Sequence, residues 1–372
     1  MGKVYACLIL LLLCYQNYVY ADCGTHSTCV LSWQCVKKAD PNVINFRSVD
    51  SDVNAICKHK LQVCCPNADI IKQEMPMHTN VACGKHNFHA IQQDHVNENT
   101  QFAEFPWVMA VITKSPIKFM GGGSLLAPNV VLTAAHKLLN QSAEDLQVRA
   151  GDWNIMNNTV EGLAHVNRAV AQVILHEQFD IKAGTYDIAL LILQHPIAYS
   201  AHIQPICLPR KYEFLDLKRC FMAGWGTENF DTKGGFSEVM RKVDLPYMKR
   251  AECEEKMKAT KLSNSFKLHE TTICAGGEAK QDACTNDGGS PLFCPLADLP
   301  NQYFQLGIVS WGLDCGVEGV PGAYTNVYYL KEWIHSILHL MGLDPNQYMP
   351  AFTLEYFKRT QDYLNKEPEP LI

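Results

Sequence analysis

The chain has 372 residues, with 38 acidic against 32 basic residues and a formal net charge of −6. This length allows a sizeable buried core and suggests two or three domains. No block of basic residues occurs, which argues against nucleic acid and anionic membrane surfaces as main partners.

Residues 1–21 have the pattern of a secretory signal peptide. Lys3 precedes the apolar run ACLILLLLC, which is too short to span a bilayer, and Val19 and Ala21 fit cleavage after Ala21. The alternative is a membrane anchor. No second long apolar run follows, so we expect an extracellular protein without a membrane span. Two N-glycosylation sequons, at Asn140 and Asn157, agree with a secreted surface.

Cysteine is unusually frequent, with 16 residues, of which Cys7 and Cys14 leave with the signal peptide. The remaining even number, in an oxidising compartment, predicts disulfides. No Cys-x-x-Cys or His-x-x-x-His pattern indicates zinc. We therefore expect no metal and no cofactor.

Six of these cysteines lie between Cys23 and Cys65. A segment this short cannot hold itself together by core burial and needs disulfides. Six cysteines allow 15 connectivities, and their spacing does not choose among them. The sequence predicts a small disulfide domain over residues 22–65, followed by a polar linker over residues 66–82.

From residue 83 to residue 342 the pattern is rich in short strands. Runs such as NVVLTAA, DIALLIL, YFQLGIVSW and GAYTNVYY are β-branched and aromatic, and turn residues separate them. Helical spacing is clear in LKEWIHSILHLMG, with Gly342 as a stop signal. We expect an all-β protein of antiparallel barrel type with a C-terminal helix.

Residues 343–372 form an aromatic tail that ends in KEPEPLI. We expect a strand or short helix that packs on the barrel. A partner-binding segment is the alternative.

Three separated motifs then align in order. VVLTAAHK ends a strand with His136, TYDIALLIL opens a strand with Asp187, and DACTNDGGSPLFCP is a Gly-rich loop after a cysteine-bearing segment. Together with EFPWVMAV, CFMAGWG, IVSWG and PGAYTNV, this order resembles the trypsin/chymotrypsin family of serine proteases from about residue 83 to residue 342. The resemblance implies a double antiparallel β-barrel.

In that family an imidazole removes the proton of a serine hydroxyl, and a buried carboxylate orients the imidazole. The resemblance assigns these two roles to His136 and Asp187. Taken singly, each has a plain structural alternative, a histidine at a strand end and a capping aspartate.

The family's nucleophile loop reads Gly-Asp-Ser-Gly-Gly-Pro, and Cys284 and Pro291 fix its register here. Gly288 then stands where the serine would be, and glycine has no side chain that could attack. Ser290 lies two residues along, roughly 6–7 Å away in an extended chain. Because a misplacement of about 1 Å already costs on the order of 10²-fold, we reject a relocated serine.

Two further departures lie in the same region. Asn286 replaces the glycine whose N–H helps form the oxyanion hole, and Asp287 matches the aspartate that pairs with the amine formed on activation. The family's activation sequence, a basic residue before Ile/Val-x-Gly-Gly, is missing near Lys85. We expect a zymogen-like domain, or cleavage elsewhere, for example after Lys72.

The resemblance also implies a specificity pocket, in which Asp282 would pair with a basic side chain. Ser310, Trp311 and Gly312 would accept a substrate backbone, and Gly322 would keep the pocket open. The alternative is an inherited pocket that has collapsed.

The family's disulfide pattern implies the pairs Cys220–Cys294, Cys253–Cys274, Cys284–Cys315 and Cys83–Cys207. One family bridge is missing, since its two positions are Gly121 and Lys137. The N-terminal segment resembles the clip domain of arthropod immune proteases, which implies Cys23–Cys64, Cys29–Cys57 and Cys35–Cys65.

A clip domain before a protease domain with glycine at the serine position resembles the clip-domain serine protease homologues, the non-catalytic cofactors of insect cascades. The resemblance implies a role in innate immunity, with a cascade protease or prophenoloxidase as partner. The alternatives are an active trypsin-like endopeptidase and a structural or reproductive secreted protein built on a protease scaffold.

Overall fold

The structure is a computed structural model that describes residues 23, 26–36, 57, 59–71, 81–87, 99–157, 163–211, 219–227, 235–262, 264–284 and 286–365. The predicted signal peptide lies outside the described residues. The chain divides into two compact units, Met1–Glu74 and Met75–Ile372.

The N-terminal unit is built on a two-stranded antiparallel sheet, β1 (Ser27–Leu31) and β2 (Gln62–Pro66). Three disulfides join its strands and turns, Cys23–Cys64, Cys29–Cys57 and Cys35–Cys65. Among the residues of this unit that the structure describes, few apolar side chains are buried, among them Leu31 and Leu61, so the disulfides are the main constraint on this part. Ile70 pairs with Cys35, so regular structure continues past residue 65.

Four sulfur atoms of this unit lie within 4.8 Å of one another, those of Cys23, Cys29, Cys57 and Cys64. All four are consumed in two disulfides. Because thiolates rather than disulfide sulfurs bind metal, this cluster is not a metal site.

The second unit contains two closed six-stranded antiparallel barrels. The first has the strand order β3-β4-β5-β8-β7-β6 and the second the order β10-β11-β14-β13-β12-β9. The first barrel's strands are β3 (Val108–Thr113), β4 (Phe119–Ala127), β5 (Val130–Thr133), β6 (Leu146–Ala150), β7 (Val166–Leu175) and β8 (Ala189–Leu193). The second barrel's are β9 (Arg219–Gly224), β10 (Arg241–Met248), β11 (Thr272–Gly276), β12 (Pro291–Pro295), β13 (Tyr303–Trp311) and β14 (Pro321–Asn326).

The barrel cores follow from the apolar runs of the sequence. Every residue of β8, ALLIL, is buried, because one face lines the barrel and the other is covered by the rest of the unit. The second core contains Leu245, Leu292 and Tyr324 together with the Cys220–Cys294 disulfide. The predicted all-β double barrel with a C-terminal helix, preceded by a disulfide-rich region, is therefore confirmed.

Three further disulfides belong to this unit. They join Cys83 to Cys207, Cys253 to Cys274, and Cys284 to Cys315. At the positions of the bridge that the family has and this chain lacks stand Gly121, in β4, and Lys137, in the turn after β5.

The described part of this unit contains three α-helices, α1 (Arg250–Lys258), α2 (Val327–Leu340) and α3 (Leu354–Leu364). The run GAYTNVYY was expected to be a single strand, but β14 ends at Asn326 and Val327 begins α2. The Asn326 side chain accepts a hydrogen bond from the backbone N–H of Tyr329, which caps the helix and explains the change of structure there.

The tail is fastened to the barrel through a buried ion pair. The guanidinium of Arg210 donates to both carboxylate oxygens of Asp298, at 3.1 and 2.5 Å, and to the carbonyl of Ala351. The central carbon of the guanidinium, Cζ, lies 4.1 Å from the centre of the Tyr356 ring. The hydroxyl of Thr353 also donates a hydrogen bond to Asp298. Helix α3 therefore packs on the barrel through Tyr356, while Leu354 and Phe357 remain exposed.

Within the described residues, no helix combines the length and the apolar character that crossing a bilayer requires.

Candidate functional site

Histidine 136 and aspartate 187 meet because their strands pair. In β5 and β8, Thr133 lies opposite Ala189, so the turn after β5 and the residues before β8 are neighbours. The Nδ1 atom of His136 lies 2.7 Å from Oδ2 of Asp187, and the His136 backbone N–H donates to Oδ1 at 2.8 Å. The hydroxyl of Ser310 donates to Oδ2 at 2.5 Å.

The carboxylate of Asp187 is 3% exposed and thus accepts three hydrogen bonds in place of water. This arrangement fixes the orientation of the imidazole and leaves its Nε2 atom directed away from the carboxylate. The pair has the geometry in which a base could accept a proton at Nε2.

Opposite Nε2 lies the backbone of Gly288. A Cβ atom placed on Gly288 would lie 2.8 Å from Nε2 and 3.1 Å from Cε1 of His136. The imidazole therefore faces Gly288, whose side-chain position offers neither an oxygen nor a sulfur.

Serine 290 lies beneath this loop. Its side chain is fully buried, and a Cβ placed on Gly122 or Gly224 would lie 2.1 or 2.5 Å from its hydroxyl oxygen. The hydroxyl has no hydrogen-bond partner among the described residues, His136 included. Ser290 therefore fills a gap between two glycines and does not reach the imidazole.

The loop before Gly288 is held by its aspartate. The buried carboxylate of Asp287 accepts backbone N–H groups from Gly226 at 2.8 Å and from Cys284 at 3.0 Å. Burial raises the pKa of Asp287 to about 6, against the opposing effect of these hydrogen bonds and of Arg241 and Lys137. Asn286 has a φ of +75°, a conformation that asparagine tolerates better than most residues.

The predicted pocket carboxylate, Asp282, is also buried, with 7% exposure. Its Oδ2 accepts the N–H of Gly316 at 3.2 Å, whereas its Oδ1 has no partner among the described residues. Burial raises the pKa of Asp282 to about 7. A Cβ on Gly322 would lie 3.0 Å from Oδ1, so a larger residue there would press on the carboxylate.

The strand residues predicted to bind a substrate backbone have different surroundings. Ser310 is engaged with Asp187, as described above. Trp311 keeps its Nε1 buried without a partner among the described residues, and Gly312 has open space around it. The sequon residues Asn140 and Asn157 are both exposed.

One residue of the site was not predicted from the sequence. The side chain of Lys137, next to His136, runs between Gly121 and Gly288. A signal for this was present in the sequence. Gly121 and Lys137 replace the two cysteines of the family's bridge, and Gly288 replaces its serine, so two residues without side chains leave space for the lysine.

The comparisons with known proteins agree with this architecture. A protein-family model described as Trypsin matches residues 95–334. "Phenoloxidase-activating factor 2" of Galleria mellonella is 37% identical over 260 residues, 67% of this chain and 85% of the relative. "Inactive CLIP domain-containing serine protease A8" of Anopheles gambiae is 35% identical over 308 residues, 80% of this chain and 82% of the relative. "Phenoloxidase-activating factor 1" of Holotrichia diomphalia is 29% identical over 347 residues, 84% of this chain and 90% of the relative.

Proposed function

The chain belongs to the trypsin family, and we propose that it is a secreted, non-catalytic member that acts as a regulatory cofactor in a phenoloxidase-activating protease cascade. Its likeness to inactive clip-domain proteases confirms the resemblance noted in the sequence. The names of its relatives point to proteases of that cascade, or to prophenoloxidase, as partners.

One observation carries the non-catalytic part of the proposal, the contact between His136 and the bare backbone of Gly288. Acyl transfer in this family requires a hydroxyl next to the imidazole. In subtilisin, loss of the nucleophile lowers kcat by on the order of 10⁶. The substitution at Asn286 adds to the deficit, since misaiming one oxyanion-hole donor costs roughly 10²–10³.

An active endopeptidase is the main competing function, and Ser290 would have to be its nucleophile. The burial of its hydroxyl and its lack of a hydrogen bond to His136 argue against this role. A nucleophile needs a base within hydrogen-bond reach.

Seven disulfides support the secretory part of the proposal, because such bridges persist in oxidising compartments. The buried carboxylate of Asp282 supports a binding role. It has one unpartnered oxygen, and a cationic side chain of a partner would stabilise the ionised form. We therefore include a basic segment of the partner in the proposal.

The test is a reconstitution. Body fluid of the source organism is depleted of this protein with an antibody, and phenoloxidase activity is measured after adding back the recombinant secreted chain. We expect activity to return while the added chain is not labelled by a fluorophosphonate probe. A variant without residues 22–65 and the variant Asp282→Asn test the clip domain and the pocket.

Two outcomes would overturn the proposal. Labelling that disappears in Ser290→Ala would identify an active protease. Failure to restore activity, together with cross-linked capture of egg, sperm or matrix proteins alone, would indicate a scaffold reused for another purpose.

A further inference from the structure

The side chain of Lys137 occupies the space left by the missing family disulfide. A Cβ placed on Gly121 would lie 2.6 Å from Cε of Lys137 and 3.4 Å from its Cγ. The carbonyl oxygen of Gly288 would lie nearer still, at 2.4 Å, so the stem and this carbonyl together leave no room for a side chain at position 121. The half-buried stem is packed in this slot instead of extending into solvent.

The same stem also reaches the nucleophile position. A Cβ on Gly288 would lie 3.0 Å from Cδ of Lys137, in addition to the 2.8 Å from Nε2 of His136. Cβ atoms in proteins essentially never lie closer than 3.0 Å to a neighbour. The distance to His136 is below this limit and the distance to Lys137 is at it, so a side chain at position 288 would press on both side chains.

We propose that Lys137 is a built-in plug of the former catalytic centre, whose stem fills the nucleophile position between Gly121 and Gly288 and keeps a substrate's acyl group out. The centre is thus blocked as well as chemically empty. A serine at position 288 would press on the Lys137 stem, which would have to shift by a few tenths of an ångström before the hydroxyl could approach a substrate. The proposal concerns this site alone and holds for any partner or cascade.

Electrostatics agree with a side chain held inside the site. Burial lowers the pKa of the Lys137 amine, and the charges of Asp287 and Asp187 oppose that shift. A lysine that stayed in solvent would experience neither effect to this degree.

The test is a double-mutant cycle on the full-length secreted protein. Gly288→Ala adds one Cβ atom, and its effect on the melting temperature of the barrel unit is compared in wild-type and Lys137→Ala backgrounds. The entropy gained by replacing glycine is common to both backgrounds and cancels in the cycle. We expect Gly288→Ala to lower Tm by at least about 2–4 °C more when Lys137 is present, because one overpacked methyl group costs at least this much in a chain of this size.

Two controls make the cycle specific. Lys137→Met keeps the stem and removes the charge, so Gly288→Ala should cost as much in this background as in wild type. Gly235→Ala, where an added Cβ meets nothing within 4 Å, should show no coupling to position 137. If Lys137→Ala does not fold, Lys137→Ser replaces it.

Equal losses of Tm for Gly288→Ala with and without the lysine would overturn the plug. Loss of the coupling in Lys137→Met would also overturn it, since the stem would then not be the cause. Neither result depends on phenoloxidase activity, so failure here and failure of the proposed function are separate outcomes.

Discussion

The Nδ1 atom of His136 lies 2.7 Å from Oδ2 of Asp187, and the opposite edge of the ring faces Gly288, which has no side chain. The pair has a structural use that does not require catalysis. Asp187 accepts hydrogen bonds from the backbone and ring of His136 and from Ser310, which belongs to the other barrel. It therefore ties the two barrels together.

We expect Asp187→Ala to destabilise the barrel unit by about 2–4 kcal/mol, because the substitution leaves buried donors without an acceptor. Urea unfolding followed by tryptophan fluorescence measures this. The matched control is Asp145→Ala at an exposed position, which should change stability by less than about 0.5 kcal/mol. Equal effects of the two substitutions would contradict the structural role.

Ser290 and Ser124 form a matched pair of fully buried serines. Ser124 donates a 2.5 Å hydrogen bond to Gln305, whereas the hydroxyl of Ser290 has no partner among the described residues. Ser124→Ala should cost about 1–2 kcal/mol, and Ser290→Ala should be neutral or stabilising, since it removes an unsatisfied buried hydroxyl. Thermal unfolding measures the stability of both variants. A larger loss of stability in Ser290→Ala than in Ser124→Ala would show that the Ser290 hydroxyl is hydrogen-bonded.

The pocket carboxylate predicts a dependence of stability on pH. Burial raises the pKa of folded Asp282 from 3.8 to about 7, so between these values the folded protein binds a proton that the unfolded chain does not. This contribution to stability is complete below pH 3.8 and is lost as the pH rises through about 7. Tm should therefore fall between about pH 4 and pH 7, and Asp282→Asn should flatten the fall.

Asp287, with a pKa of about 6, acts in the same direction at the lower end of this window. The slope that remains in Asp282→Asn should therefore lie mainly below about pH 6. A pH profile of Asp282→Asn identical to that of the wild type would show that the carboxylate is solvated in the folded protein.

The buried ion pair between Arg210 and Asp298, which fastens the tail to the barrel, predicts a large loss of stability when Arg210 is replaced. Arg210 and Asp298 are each 1% exposed, so Arg210→Ala would leave a buried carboxylate unpaired and should cost about 3–5 kcal/mol. Burial would raise the pKa of Asp298, but hydrogen bonds from Arg210 and Thr353 hold it below its ordinary value. The substitution should also make residues 343–365 sensitive to limited proteolysis.

The control is Arg219→Ala, which removes ion pairs with Asp244 and Glu278 that are 42–44% exposed. Exposed pairs of this kind contribute about 0–1 kcal/mol. A tail that stays resistant to protease in Arg210→Ala would mean that other contacts hold it without the ion pair, such as the hydrogen bond that the backbone N–H of Leu208 donates to the carbonyl of Tyr348.

The strands were predictable where their residues are apolar throughout. The run DIALLIL contains β8, and the run YFQLGIVSW is β13. Short β-branched and aromatic runs between turn residues are typical of buried strands. Helix α1 was not predicted. Its sequence RAECEEKMK buries Cys253 and Met257, one turn apart, and two buried positions do not make a recognisable apolar stripe.

Part of the site was likewise beyond sequence reasoning. The order of motifs suggested that His136 and Asp187 converge, and in the structure they are hydrogen-bonded. The position of the Lys137 side chain was not predicted, since it depends on Gly121 and Gly288, which are distant in sequence. From the sequence, Lys137 is only a residue that replaces a cysteine of the family. Its side chain packs where it does because Gly121 and Gly288 have no side chains.

Three disulfides lie in the N-terminal unit and four in the barrel unit, and every cysteine from Cys23 onward is paired within its own unit. The only covalent link between the two units is therefore the main chain between Cys65 and Cys83. A single peptide-bond cut in that interval would therefore leave the two units without any covalent link to each other.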